Sequence, residues 1–149
     1  MTLIETSTYI NAPIQKVFDL SRDIDVHQHS ASKTHEVAIA GTIHGLINLG
    51  ETVTWRGKHF GSYLRHTSLI TQMELYNFFV DEMIQGHFKA FRHEHYFEEK
   101  NGGTIMKDKL YYETPFWIFG KLFDVLLLKS HLTKFLFNRN HVLKNIAES

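Results

Sequence analysis

The sequence contains no cysteine, and this absence excludes several classes of protein at once. Without thiols the chain forms no disulfide, offers no thiolate nucleophile and cannot hold zinc or an iron–sulfur cluster through cysteine. The N-terminal segment also lacks the basic stretch and apolar core of a signal peptide. Both observations fit a reducing compartment, so we expect a cytoplasmic protein.

The sequence also lacks a net charge and a long apolar run. The 16 Lys and Arg residues balance 16 Asp and Glu residues, so no net field draws the chain to nucleic acid or anionic surfaces. The most apolar run, Phe116–Leu128, carries Lys121 and Asp124, and it is shorter than the roughly 20 apolar residues that span a bilayer. We therefore expect no nucleic-acid partner and no stable membrane insertion.

Histidine and aromatic residues are abundant instead, with 11 His, 12 Phe, 6 Tyr and 2 Trp. A chain of 149 residues suits one domain and buries roughly 70% of its unfolded surface, so it can sustain a core without covalent staples. No repeat or linker-like stretch divides it. We expect residues 1–149 to form one ligand-binding domain.

The N-terminal part alternates between two kinds of pattern. Thr2–Ile10 is rich in β-branched and aromatic residues and is predicted to be a strand. Asn11 and Pro13 are typical of a helix start, and helical spacing follows at Ile14, Val17 and Phe18. A second short helical turn is predicted within Asp23–Ser32, which gives two short helices after the first strand.

The rest of the chain is predicted to form a sheet followed by a helix that packs on it. Lys33–Glu113 consists of short segments separated by glycine-containing turns, which is typical of an antiparallel meander. After Pro115, apolar residues recur at helical spacing over Phe116–Ala147. The fold class is therefore α+β, with a curved antiparallel sheet of about six or seven strands wrapped around a long C-terminal helix.

Several separated motifs resemble one known superfamily. They are the segments Ile10–Asp19, Glu51–Gly61, Thr67–Ile70, Phe91–Phe97 and Gly102–Asp108. In this order they are similar to the SRPBCC superfamily, which has the helix-grip fold and includes START lipid-transfer domains and birch-pollen-allergen proteins. The bacterial ligand-binding branch called "cyclase/dehydrase" is the most similar. The resemblance implies an internal cavity used for transport, sensing or occasional catalysis, and it implies no metal or cofactor.

Strand alternation indicates which side chains face that cavity. In Phe91–Phe97 the charged Arg92 and Glu94 belong in water, so the opposite face points inward. The same rule applied to Thr104–Tyr112 directs Met106, Asp108, Leu110 and Tyr112 inward. If the loop Glu98–Gly103 joins these strands, His93 lies near Asp108 and His95 near Met106.

A second hairpin and the helix complete the predicted lining. A turn at Phe60-Gly61 pairs Trp55 with His66 and directs His59 inward. The C-terminal helix contributes its own apolar stripe. The predicted ligand-contacting residues are therefore Trp55, His59, His66, Phe91, His93, His95, Phe97, Asp108, Tyr112, Leu122, Leu126 and Phe135.

Two chemical interpretations of the inward histidines remain open. His93 and Asp108 are candidates for an acid–base pair, because a carboxylate orients an imidazole and raises its basicity; a structural hydrogen bond is the alternative. His93 and His95, with His59, His66 or Asp108, would offer metal ligands. No zinc-binding spacing accompanies them, so we expect no metal and no cofactor.

Three functions follow as hypotheses. The first is a carrier or sensor of a small hydrophobic molecule, such as a lipid, quinone, isoprenoid or polyketide-like compound. The second is an enzyme of the polyketide cyclase or dehydratase type. The third is a protein-interaction module that uses the start of the long helix and the outer sheet face. We expect a monomer or homodimer in each case.

Overall fold

The computed structural model describes residues 1–149 and contains seven strands. They are β1 (Thr2–Ile10), β2 (Val37–Gly41), β3 (Thr52–His59), β4 (Ser62–Glu74), β5 (Phe78–Gln85), β6 (Ala90–Lys100) and β7 (Gly103–Glu113). All neighbours pair antiparallel in the order β1-β7-β6-β5-β4-β3-β2. Register shifts in the β2–β3 and β4–β5 pairs are bulges that bend the strands. The predicted α+β class and its meander are confirmed.

Two short helices follow β1, as the sequence predicts: α1 (Ile14–Ser21) and α2 (Ile24–Ser30). Helix α1 buries one face against the sheet, where the ring of Phe18 makes edge contacts with Phe79 and Phe97. Asp23 begins α2, and its carboxylate accepts hydrogen bonds from two backbone N–H groups of the first turn. These helices and rings fill the interior beside part of the sheet with solid core.

The C-terminal helix runs without interruption from Trp117 to Glu148, as α3 (Trp117–Phe123), a π-helical turn (Asp124–Leu128) and α4 (Lys129–Glu148). Its buried stripe includes Leu128, Leu132, Leu136 and Leu143. These side chains face the sheet and the short helices. No helix has both the length and the hydrophobicity to cross a membrane.

The two predicted hairpin registers have different outcomes. Trp55 pairs with His66, as predicted. In the β6–β7 hairpin, however, His95 pairs with Asp108 and His93 with Leu110. The prediction was wrong by two residues because the strands continue to Lys100 and Gly103, and only Asn101 and Gly102 form the turn. Both turn residues have positive φ angles, of 50° and 77°, which is the geometry of a two-residue hairpin turn.

Candidate functional site: a cavity between the sheet and the C-terminal helix

A cavity of about 980 Å³ lies between the inner face of the sheet and the C-terminal helix. Apolar and aromatic side chains form much of its wall, among them Val53, Trp55, Ile70, Phe91, Leu132 and Phe135. The strand alternation described above places them there, because every second residue of β3, β4 and β6 faces the helix. The cavity thus occupies the part of the interior that the Phe18 core leaves open.

Its mouth lies where α3 meets the β3–β4 turn. Phe116 and Phe119 line the cavity and are also 83% and 77% exposed, so they mark the opening to solvent. Phe60 of the turn is likewise in the lining, and its ring lies 5.3 Å from that of Phe123. Aromatic rings therefore surround the entrance.

A buried polar cluster lies against one wall and is centred on Asp108. Oδ1 of Asp108 is 2.9 Å from Nε2 of His93, 3.1 Å from Nδ1 of His95 and 3.4 Å from Nη1 of Arg139. The amide of Asn140 donates to Oδ2 of Asp108 at 2.7 Å. The predicted His93–Asp108 contact thus exists, although as a diagonal neighbour on the sheet rather than a directly opposed pair.

The surroundings shift the pKa values of the two histidines in this cluster in opposite directions. Burial alone would lower the pKa of His95, but Asp108 and Asp81 on either side raise it above its ordinary value; Oδ2 of Asp81 is 2.9 Å from Nε2. Burial and the neighbouring His95 charge lower the pKa of His93 despite its contact with Asp108. The two carboxylates therefore favour the protonated form of His95, whereas burial and its neighbour favour the neutral form of His93.

The two carboxylates remain ionised. Burial raises the pKa of each, but the hydrogen bond from His95 and the charges of the nearby histidines outweigh it for Asp81 and lower its pKa to about 2. For Asp108, His93, His95 and Arg139 together hold the pKa well below its ordinary value. Arg139 and the protonated form of His95 are the cations that face these two carboxylates.

A second polar cluster lies on β3 and the segments packed against it. Glu36 accepts from Nε2 of His27 at 2.8 Å, and Nε2 of His59 lies 3.8 Å from its other oxygen. Burial raises the pKa of Glu36, but these two histidines lower it to about 2. Nδ1 of His59 is also 2.9 Å from Nε2 of His131 on α4, so this cluster joins the sheet to the helix.

The structure brings most of the predicted site residues to one place. In the cavity wall lie Trp55, His59, His66, Phe91, His93, His95 and Phe135. Asp108 lies behind the histidines, and Phe97 is in the Phe18 core. Tyr112 is fully buried and donates its hydroxyl hydrogen to Asp124. These three are not part of the wall itself.

The structure does not bring Leu122 and Leu126 to the cavity wall. They are 57% and 65% exposed and do not line the cavity. The periodic stripe of the helix continues through this region, but the residues that turn inward are Gly120, Asp124 and Leu128. The spacing of apolar residues predicts that the helix has an apolar stripe. It does not predict which face of each turn packs against the sheet.

Sequence reasoning missed several polar residues of the site. Asp81 lies on β5 directly opposite His93, and the alternation of Phe79 and Asp81 would have placed it inward. Arg139 follows Leu132 and Leu136 on the buried stripe, and a cation there signals a buried carboxylate. Glu36, just before β2, carries no such signal.

Asp81, His93 and His95 also have the composition of a metal-ligand set. One ligand atom of each lies within 4.8 Å of the other two, and two histidines with one carboxylate is a donor set known for transition metals. Hydrogen bonds join His93 to Asp108 and His95 to Asp81, and an ion-pair contact of 3.1 Å joins Nδ1 of His95 to Asp108, so the same side chains already have partners within the cluster. The cluster therefore needs no ion to satisfy its charges.

A sheet that holds a C-terminal helix over such a cavity defines the helix-grip class. Neither the family models nor the curated protein sequences compared with the chain match it. Among solved structures, TTHA0849 from Thermus thermophilus is similar with a TM-score of 0.80 and 18% identity, over 97% of this chain and 95% of that chain.

Two further structures share the architecture. KanY has a TM-score of 0.76 and 14% identity over 100% of both chains. Major latex-like protein 151 from Panax ginseng has a TM-score of 0.73 and 12% identity, over 99% of this chain and 98% of that chain. At these identities the likeness concerns the fold, and it confirms the helix-grip fold that the resemblance implied.

Proposed function

We propose that the protein binds a small, largely apolar molecule in the cavity between the sheet and the C-terminal helix, as a carrier or sensor. The observation that carries this proposal is the cavity itself. At about 980 Å³ it is at the upper end of the range for small-molecule sites, and its mixture of apolar walls with a few polar groups is typical of them. The helix-grip neighbours support ligand binding in general.

The polar cluster narrows the chemistry of the ligand. Nε2 of neutral His93 faces the Asp108 carboxylate and so carries the proton, which leaves Nδ1 as a hydrogen-bond acceptor. His93 also lines the cavity. The ligand we propose is an apolar body with a hydroxyl or phenol that donates to this nitrogen, as in an isoprenoid alcohol or a polyketide-like aromatic.

The direct test is native mass spectrometry of protein purified without detergent, followed by organic extraction. A bound apolar molecule at near-stoichiometric amount supports the proposal. Leu64→Trp, a substitution in the cavity wall, should lower the bound amount several-fold because the larger side chain fills the space. Tyr63→Trp on the adjacent exposed position is the matched control. Equal loading of both variants, or an empty wild-type protein that takes up no apolar probe, contradicts the proposal.

A second candidate function is acid–base catalysis of the cyclase or dehydratase type. The 2.9 Å contact between His93 and Asp108 favours it, because a neutral imidazole held by a carboxylate can accept a proton from a bound substrate. The extracted molecule is returned to the protein and followed by mass, which reports loss of water, and by chromatographic retention, which reports a cyclisation that leaves the mass unchanged. Loss of water or cyclisation with wild type but not with His93→Gln supports catalysis. If the molecule is unchanged by the wild-type protein, catalysis is contradicted and the carrier function stands.

A further inference from the structure

The start of the C-terminal helix exposes an unusually large apolar surface. Seven large side chains there are between 57% and 83% exposed. This exposed apolar patch consists of Phe116, Trp117, Ile118, Phe119, Leu122, Val125 and Leu126. Contiguous apolar surfaces of this kind mark a site of interaction, since single exposed apolar residues are ordinary but clusters are not.

The patch coincides with the mouth of the cavity. Phe116 and Phe119 belong both to the patch and to the cavity lining. Phe60, which is 51% exposed, continues the same apolar surface across the opening onto the β3–β4 turn. Whatever covers the patch therefore also covers the entrance.

The exposed charges around the patch are mostly basic; the acidic neighbour, Glu113, is paired with Lys89 at 2.7 Å. Between Thr114 and Ala147 the chain has one acidic residue, Asp124, and it is buried and accepts hydrogen bonds from Thr2 and Tyr112. The exposed charged side chains on this stretch are Lys121, Lys129 and Lys134. The β3–β4 hairpin adds exposed Lys58 and Arg65.

From this combination we infer that the exposed apolar patch docks on the surface of an anionic lipid bilayer, with the cavity mouth against it. Aromatic and aliphatic side chains enter the interfacial region, where tryptophan is favoured. The flanking lysines are attracted to anionic headgroups. The inference rests on the proposed function and extends it, because a docked mouth lets an apolar ligand pass between cavity and bilayer without crossing water.

The test is co-sedimentation of the full chain with vesicles of phosphatidylcholine, alone or with phosphatidylglycerol. We expect binding to the anionic vesicles and much weaker binding to phosphatidylcholine alone. Trp117→Ser with Val125→Ser should reduce binding at least about five-fold, since apolar area drives insertion. Neither residue lines the main cavity. Phe137→Ser, at a 70% exposed position of α4 outside the patch, is the control and should bind as wild type.

Charge reversal tests the electrostatic part. Lys121→Glu with Lys129→Glu should abolish the preference for anionic vesicles, whereas the exposed pair Lys16→Glu and Lys33→Glu retains it. Wild-type protein that fails to sediment with anionic vesicles overturns the inference. So does a dimer that Trp117→Ser dissociates in light scattering, because the patch is then a contact between two copies of the chain.

The two proposals fail in different ways. If the patch variants and wild type bind vesicles equally while Leu64→Trp lowers ligand loading, the docking surface is wrong and the cavity function stands. If wild type sediments through the patch but holds no apolar molecule, the docking stands and the cavity function is wrong. Ligand loading and vesicle binding are therefore measured on the same preparations.

Discussion

Asp108 is the residue on which the polar architecture of the interior depends. It is completely buried and ionised, and its contacts come from three parts of the fold. Thr6 of β1 donates to it at 3.1 Å, His95 of β6 contacts it, and Arg139 and Asn140 approach from α4. A carboxylate at this position fixes the C-terminal helix against the sheet.

Replacing Asp108 by Asn should lower the free energy of unfolding by about 3–5 kcal/mol, because it leaves the buried Arg139 without its carboxylate and His95 with Asp81 alone. Chemical denaturation at neutral pH measures the loss. Glu98→Gln is the matched control: its pair with Lys107 spans 3.7 Å and its side chain is 65% exposed, so the change should stay within about 0.5 kcal/mol. Equal effects of the two substitutions would contradict the network.

The two neighbouring histidines should titrate in opposite directions from the ordinary value of 6.5. Asp108 and Asp81 raise the pKa of His95 against the effect of burial, whereas burial and the charge of His95 lower the pKa of His93. Histidine ring NMR shifts followed between pH 4 and 9 measure both. Asp81→Asn removes one counter-charge and should lower the pKa of His95. A pKa of His93 above that of His95 in wild type would be inconsistent with the structure.

At the scale of elements, alternation predicts faces better than it predicts registers. His93, His95 and Asp108 face inward as the alternation of β6 and β7 indicates, and the register error of two residues did not change this, since a shift of two preserves the face. The error lay in the turn. Asn101-Gly102 forms the tightest hairpin connection, so the strands extend further than a longer loop allows.

Helix periodicity has a similar limit. The stripe that includes Leu132 and Leu136 is buried as its spacing indicates, but Leu122 is exposed because Gly120 and Asp124 are the residues that face inward on that part of the helix. Polar site residues were hardest to predict. Glu36 contacts its histidine partners through tertiary packing. A local sequence pattern does not predict contacts between residues that are separated along the chain.

The position of α3 against the end of β7 depends on Gly120. It is the one buried residue of α3, and a Cβ atom there would overlap with the carbonyl oxygen of Pro115. Gly120→Ala should therefore displace α3 and cost about 1–3 kcal/mol, although alanine is intrinsically the better helix former. Thermal unfolding measures it. Ser130→Ala, at an exposed position of α4, should be neutral or slightly stabilising, and a stabilised Gly120→Ala variant would contradict the close contact.

For the whole molecule, the buried ionisable groups of the two polar clusters beside the cavity have shifted pKa values, and these shifts link stability to pH. Glu36 and Asp81 each have a pKa lowered to about 2. They therefore stabilise the fold fully at pH values above the ordinary pKa of a carboxyl group. This contribution is lost as the pH falls towards 2. His95, with a raised pKa, contributes below pH 6.5 and loses its contribution as the pH rises through its folded-state pKa. His93, with a lowered pKa, contributes above 6.5 and loses it as the pH falls.

Near neutral pH the contributions of His93 and His95 to the free energy of unfolding have opposite pH dependence. In acid, the loss of stability therefore comes mainly from the carboxylates. We expect the free energy of unfolding to decline most steeply between about pH 4.5 and pH 2, by roughly 1.4 kcal/mol per pH unit for each extra proton bound by the unfolded chain. Denaturant unfolding from pH 2 to 8 measures this. Asp81→Asn should lower the free energy of unfolding near neutral pH and make its decline in acid less steep, because one proton-linked group is gone. If the free energy of unfolding falls equally steeply in acid for wild type and for Asp81→Asn, the Asp81 carboxylate does not take part in the linkage between protonation and folding.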